Sequence, residues 1–83
     1  METIYNTSIK IKEIFKTKLN GFVADSIIRV GCERMNINPE NLDNSYLDEF
    51  IEKIKYSLLL FLSSTEAEKL IQQIKAIKEE NNA

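Results

Sequence analysis

The chain has 83 residues, of which 43% are hydrophobic, and a formal net charge of −2. This length supports one small domain with a thin stability margin, and the hydrophobic content excludes an intrinsically disordered chain. Histidine is absent and Cys32 is the single cysteine, so the commonest general base, the commonest neutral metal ligand and an internal disulfide are all excluded.

A first helix is predicted over residues 8–19, capped by Thr7 or Ser8. The alternation of Ile9 and Ile11 between lysines would also fit a short strand, but the three- and four-residue spacing that follows favours a helix. The apolar stripe of this helix consists of Ile11, Ile14, Phe15 and Leu19. Residues 1–6 have no clear period and are expected to fray, as are residues 79–83.

At Asn20-Gly21 the apolar stripe changes side. Counted at 100° per residue, Phe22 continues the arc of the first stripe, and a second group clusters roughly opposite: Ala24, Ile27, Ile28, Gly31 and Met35. One explanation is a helix break with Gly21 in the left-handed conformation. The other is one long helix with partners on two sides. We predict the break, followed by a helix over residues 22–35 that stops before Pro39.

The second half of the chain contains three helical starts. Asn38 followed by Pro39 predicts a single turn over residues 39–42. A capping-box pattern from Ser45 to Asp48 precedes a strong helix over residues 45–62, with an apolar stripe of Leu47, Phe50, Ile51, Ile54, Leu58, Phe61 and Leu62. A second capping box from Thr65 to Glu68 starts the last helix, whose stripe is Ala67, Leu70, Ile71, Ile74 and Ile77.

These elements predict an all-α fold, a small bundle of about four helices joined by short loops, as one domain over residues 1–83. The last two helices should pack antiparallel, because their connection is short. The predicted centre of the core is Ile51, Ile54, Leu58, Phe61, Leu70, Ile71 and Ile74.

Three apolar side chains fall outside the stripe of the helix over 45–62: Tyr56, Leu59 and Leu60. Either this half of the helix is surrounded by neighbours, or the three residues form an exposed patch that binds a partner. The second alternative predicts a non-enzymatic regulatory or adaptor module that binds a protein partner or itself, as a homodimer. A symmetric dimer would also add the buried area that a short chain lacks.

The charge distribution offers an alternative function. Residues 8–35 carry six basic and three acidic side chains, and residues 36–83 carry five basic and nine acidic ones. The simplest interpretation is that the two halves complement each other. The alternative is a nucleic-acid-associated regulator that uses the basic segment of Lys10, Lys12, Lys16 and Lys18. A helix-turn-helix register on Ala24 fails, because Ile28 takes the position of the turn glycine.

No catalytic, cofactor or metal site is predicted. Cys32 is interpreted as a small buried hydrophobe. Helix-start electrostatics explains most of the clustered carboxylates, which are Asp48, Glu49, Glu52, Glu66 and Glu68. The longest apolar run, residues 58–62, is far shorter than the roughly 18 residues of a membrane-spanning helix. Because a signal-peptide pattern is also absent at the start, we expect a cytoplasmic protein.

Overall fold

A computed structural model of the chain describes residues 6–81. It contains four α-helices: α1 (Asn6–Phe15), α2 (Gly21–Arg34), α3 (Leu47–Leu59) and α4 (Ser64–Asn81). Two short 3-10 turns, Pro39–Asn41 and Asn44–Tyr46, connect α2 to α3. The described residues contain no strand. The predicted all-α bundle is therefore confirmed, whereas the fraying expected at 1–5 and at 82–83 lies outside the described residues.

The helices follow one another around the bundle. The most extensive contacts join α1 to α2, α2 to α3, α3 to α4 and α4 back to α1. The Cα radius of gyration is 11.7 Å, which is about the value expected for a compact chain of this length. No helix among the described residues combines the length and the hydrophobicity that crossing a bilayer would require.

Buried apolar residues from all four helices form one core. Its members are Ile11, Phe15, Ala24, Ile27, Ile28, Cys32, Leu42, Leu47, Phe50, Ile51, Ile54, Leu58, Ala67, Leu70, Ile71, Ile74 and Ile77. Six of the seven residues predicted for its centre are among them. The seventh, Phe61, is 55% exposed, and Phe22, which continued the first stripe, is 79% exposed. The predicted burial of Phe61 is wrong, because Phe61 lies beyond the end of α3, and the arc that Phe22 shares with the first stripe ends with α1.

The break at Asn20-Gly21 is confirmed, but its geometry differs from the predicted one. α1 ends at Phe15, and a turn over residues 16–19 leads to Asn20, which is extended (φ −75°, ψ 165°). The Asn20 Oδ1 accepts a hydrogen bond from the Val23 N–H at 2.8 Å. Gly21 is the first residue of α2 and its φ is not positive. The prediction of a left-handed Gly21 is therefore wrong. Asn20 caps the start of α2, and no glycine is needed to end α1.

The left-handed residue that ends a helix is Asn36, with φ 60°. It follows α2 and allows the Ile37 N–H to donate to the Cys32 carbonyl at 3.0 Å. This bond satisfies a carbonyl in the last turn of α2, and asparagine tolerates the left-handed region better than most residues. The chain then turns through Pro39–Asn41, in agreement with the predicted single turn at 39–42.

Two predicted capping boxes are wrong in register. Asp43, rather than Ser45, caps the segment before α3, since its Oδ1 accepts from the Ser45 N–H at 3.0 Å. At α4 the Glu66 N–H donates to the Ser63 Oγ at 3.2 Å, and the Ser63 N–H donates to the Glu66 Oε1 at 3.4 Å. Thr65 therefore lies inside the first turn of α4. The chemistry of the box was predicted correctly, but its position differs by two residues.

α2 and α3 approach each other closely at Gly31. A Cβ atom at this position would lie 2.6 Å from Ile54 Cγ2 and 2.8 Å from Phe50 Cε1. Only glycine allows the two helices to pack at this distance without a shift of core side chains. At the other end of the same pair, Phe22 and Leu60 line one groove. The two helices are therefore antiparallel, and this arrangement brings the start of α2 and the end of α3 together.

Candidate protein-binding surface

Among the described residues, six large hydrophobic side chains remain exposed: Ile9, Phe22, Tyr56, Leu59, Leu60 and Phe61. Single exposed apolar residues are normal on protein surfaces, but clustered ones indicate contact sites. Five of these six lie near the start of α2 or the end of α3. This region is therefore the candidate functional surface.

A groove runs between the start of α2 and the end of α3. Its lining, which we call the α2/α3 groove, consists of Phe22, Val23, Ser26, Ile27, Val30, Ser57, Leu60 and Phe61. Phe22 and Leu60 protrude most, with 79% and 80% of their surface exposed, whereas Ile27 is buried at the bottom. None of these eight described lining residues is ionisable. The groove is thus an uncharged apolar depression with two prominent side chains at its edges.

Local backbone structure explains why these side chains face outwards. The Asn20 cap starts α2 in a phase that puts Phe22 on the side opposite the buried stripe. α3 ends at Leu59, and the chain turns there because Phe61 N–H donates to the Leu58 carbonyl at 3.0 Å. Leu60 and Phe61 lie on this turn rather than on a helix. Helix ends on both sides of the groove therefore produce its exposed residues.

The three residues predicted as a patch are all exposed. Tyr56 is 74% exposed, Leu59 42% and Leu60 80%, so the alternative in which neighbouring helices surround this half of α3 does not hold. The structure brings Leu60 together with Phe22 and Phe61 in the groove, while Tyr56 and Leu59 lie outside its lining. Tyr56 precedes Leu60 by one helical turn and extends the apolar surface along α3.

Sequence analysis missed Phe22 and Phe61 as surface residues. The signal for Phe22 was present, because it directly follows the predicted helix break and lies roughly opposite the apolar group of the second helix. Phe61 gave a weaker signal, which was its position next to the Ser63-Ser64 connection.

The structure separates three of the four lysines of the predicted basic segment. The Lys12 Nζ lies 3.1 Å from Asp25 Oδ1 on the α2 side of α1, and the Lys18 Nζ lies 3.9 Å from Glu66 Oε2 at the start of α4. Lys10 lies beside the groove between α1 and α4. Lys16 is exposed. Lys10, Lys12 and Lys18 therefore do not share one cationic surface, and Lys12 and Lys18 have acidic neighbours.

Burial explains Cys32, and helix starts and local hydrogen bonds explain most of the clustered carboxylates. Cys32 is fully buried, and this burial raises the pKa of its thiol to about 11. No group of three or more metal-ligating side chains is placed to hold a metal among the described residues. Glu66 belongs to the cap of α4, and the Glu68 Oε2 accepts from the Gln72 amide at 2.7 Å. Asp48 and Glu49 lie in the first turn of α3, where negative charge is favourable.

Comparison of the chain with protein-family models, with curated proteins and with solved structures gives no match. Function is therefore argued from the geometry and chemistry of the α2/α3 groove.

Proposed function

We propose that this chain is a small non-enzymatic module that binds another protein chain through the α2/α3 groove, as a regulatory or adaptor component. The observation that carries the proposal is the position of Phe22 and Leu60, two large apolar side chains about four-fifths exposed at the edges of one uncharged depression. Leaving both in water forgoes about 1.5 to 3 kcal/mol of burial free energy for each side chain. A partner that covers them recovers that free energy.

The composition of the groove resembles the centre of a protein interface. Such centres are enriched in aromatic residues and depleted of charge, and Phe22 and Phe61 in an uncharged lining meet both criteria. The lining also includes the hydroxyl groups of Ser26 and Ser57. We place this function in the cytoplasm, a reducing compartment in which the lone thiol of Cys32 stays reduced.

Nucleic-acid binding through Lys10, Lys12, Lys16 and Lys18 is the weaker hypothesis. Phosphate recognition needs several cations on one surface, whereas Lys12 is paired with Asp25 and Lys18 lies near Glu66. A sequence pI near 5.1 adds no general attraction for a polyanion. These observations support a protein partner over a nucleic acid.

Site-specific photo-crosslinking in the cell of origin tests the proposal. A benzophenone analogue of phenylalanine replaces Phe22, and in a matched control it replaces Ile9, which is 54% exposed on α1. The bundle order places α1 and α4 opposite the groove. We expect protein adducts from position 22 and none of the same mass from position 9.

Two outcomes would contradict the proposal. One is a position-22 probe that yields no protein adduct although the chain is expressed and folded. The other is an adduct with nucleic acid alone, which would favour the weaker hypothesis; in that case a gel shift should weaken steeply with added salt.

A further inference from the structure

We infer that the chain occupying the α2/α3 groove is a second copy of this protein, which forms a two-fold symmetric dimer. This inference rests on the proposed function, because it names the partner of the same groove. In a two-fold interface the same surface of both copies makes contact, so the surface must be complementary to itself. Three properties of the groove meet this requirement.

The first property is the absence of charge. Near a two-fold axis a charged side chain faces its own equivalent, and like charges in contact are repulsive. None of the eight described lining residues carries a charge, so pairing two linings brings no like charges of those residues together. The formal net charge of −2 per copy also gives only weak long-range repulsion.

The second property is shape. The surface combines two strongly exposed side chains, Phe22 and Leu60, with the half-buried Val23 and Val30 and the buried Ile27 of the same groove. A two-fold axis through the groove can seat the protruding side chains of one copy in the depression of the other. The contact is then a helical one, formed by the antiparallel α2 and α3 of each copy.

The third property is area. At about 200 Å² for each large side chain, the groove residues Phe22, Leu60 and Phe61 together expose on the order of 400 Å². A standard interface buries about 800 Å² per partner, a little over half of it apolar. The apolar area at the groove is therefore about what one side of such an interface contains. The remaining area would come from the polar rim.

Sedimentation equilibrium of the purified chain over low to high micromolar concentrations tests the dimer. The parent should approach twice its mass of 9.6 kDa. Phe22→Glu and Leu60→Glu should raise the dissociation constant by an order of magnitude or more, since buried anchors dominate interface affinity. Ile9→Glu is the matched control and should keep the dissociation constant of the parent.

Thermal melts by circular dichroism accompany each variant. Both groove residues are about four-fifths exposed, so a folded monomer is the expected state of each variant at low concentration. If Leu60→Glu unfolds because it lies beside α3, Phe22→Glu alone decides the result.

A parent that remains at 9.6 kDa at high micromolar concentration would overturn the inference. So would a dimer that Ile9→Glu disrupts and Phe22→Glu does not, because the interface would then lie on α1. The photo-crosslinking experiment distinguishes failure of the dimer from failure of the proposed protein-binding function. A monomeric parent whose position-22 probe captures a different protein refutes the second copy but supports protein binding, whereas a monomer without any adduct refutes both.

Discussion

Replacing Gly31 with alanine should destabilise the bundle, although alanine is the better helix former. The added Cβ would lie 2.6 Å from Ile54 Cγ2 and 2.8 Å from Phe50 Cε1. Carbon atoms in contact prefer about 3.5 to 4.0 Å, so α2 and α3 must separate or both side chains must move by about 1 Å. Ile54 and Phe50 are fully buried. The Ile54 methyl group is attached directly to Cβ and has little freedom to move aside.

The magnitude follows from two opposing effects. Overpacking a tight core costs about 1 to 3 kcal/mol, and replacing glycine with alanine inside a helix returns up to about 1 kcal/mol. Because two contacts fall below 3.0 Å, we expect the upper part of the first range and a net loss of about 1 to 2 kcal/mol. For a domain of this size each kcal/mol lowers Tm by about 4 to 8 °C.

Gly21 provides a matched control of opposite sign. It is the first residue of α2, its φ is not positive, and a Cβ there would meet no described atom within 4 Å. Gly21→Ala should therefore leave the unfolding free energy unchanged or raise it by up to about 1 kcal/mol, and Tm should follow. Urea and thermal unfolding of both variants measure the difference. Equal effects of the two substitutions, or a stabilising Gly31→Ala, would refute the close approach of α2 and α3.

Three further predictions concern the α4 cap and the Cys32 thiol. Ser63→Ala should lower the unfolding free energy by about 0.5 to 2 kcal/mol because it removes the α4 cap. Thr65→Ala, the control in the first turn of α4, should have the smaller effect in urea titrations. The reverse order would place the cap at Thr65. The Cys32 thiol should react with a thiol reagent near neutral pH only as fast as the protein opens, because it is buried and its pKa is raised to about 11. Since this pKa lies above the ordinary value of 9.0, the folded chain holds the proton more tightly than the unfolded one, so stability should fall from pH 9 towards 11. A Cys32→Ala variant that shows the same loss would assign it to other groups.

Apolar spacing predicted the helices and most of the core. Ile54, Leu58, Leu70 and Ile74 were assigned to the core from their three- and four-residue spacing, and all are buried. These positions lie well inside α3 and α4, where a constant rotation per residue holds. Periodicity is therefore a reliable guide to burial between the ends of a helix.

Helix boundaries were harder to predict, because several sequence signals compete over a few residues. Both Ser63 with Glu66 and Thr65 with Glu68 satisfy the capping-box pattern, and either start leaves the same stripe facing the core. The structure uses the earlier pair, with the Ala67 N–H donating to the Ser63 carbonyl at 2.9 Å. At α1 the helix ends at Phe15, four residues before its predicted end.

The burial error at Phe61 and the candidate surface have the same physical origin. Phe61 was assigned to the core by extending the period of α3 past its last residue, and Phe22 continues the arc of α1 only if one helix crosses the break. At both places the backbone leaves the helix, so the phase that predicts burial is lost and a large apolar side chain is left exposed. Antiparallel packing of α2 and α3, held close by Gly31, then brings these two helix ends together. An apolar residue that fits a helical stripe but lies just beyond the end of that helix is thus a candidate for a binding surface.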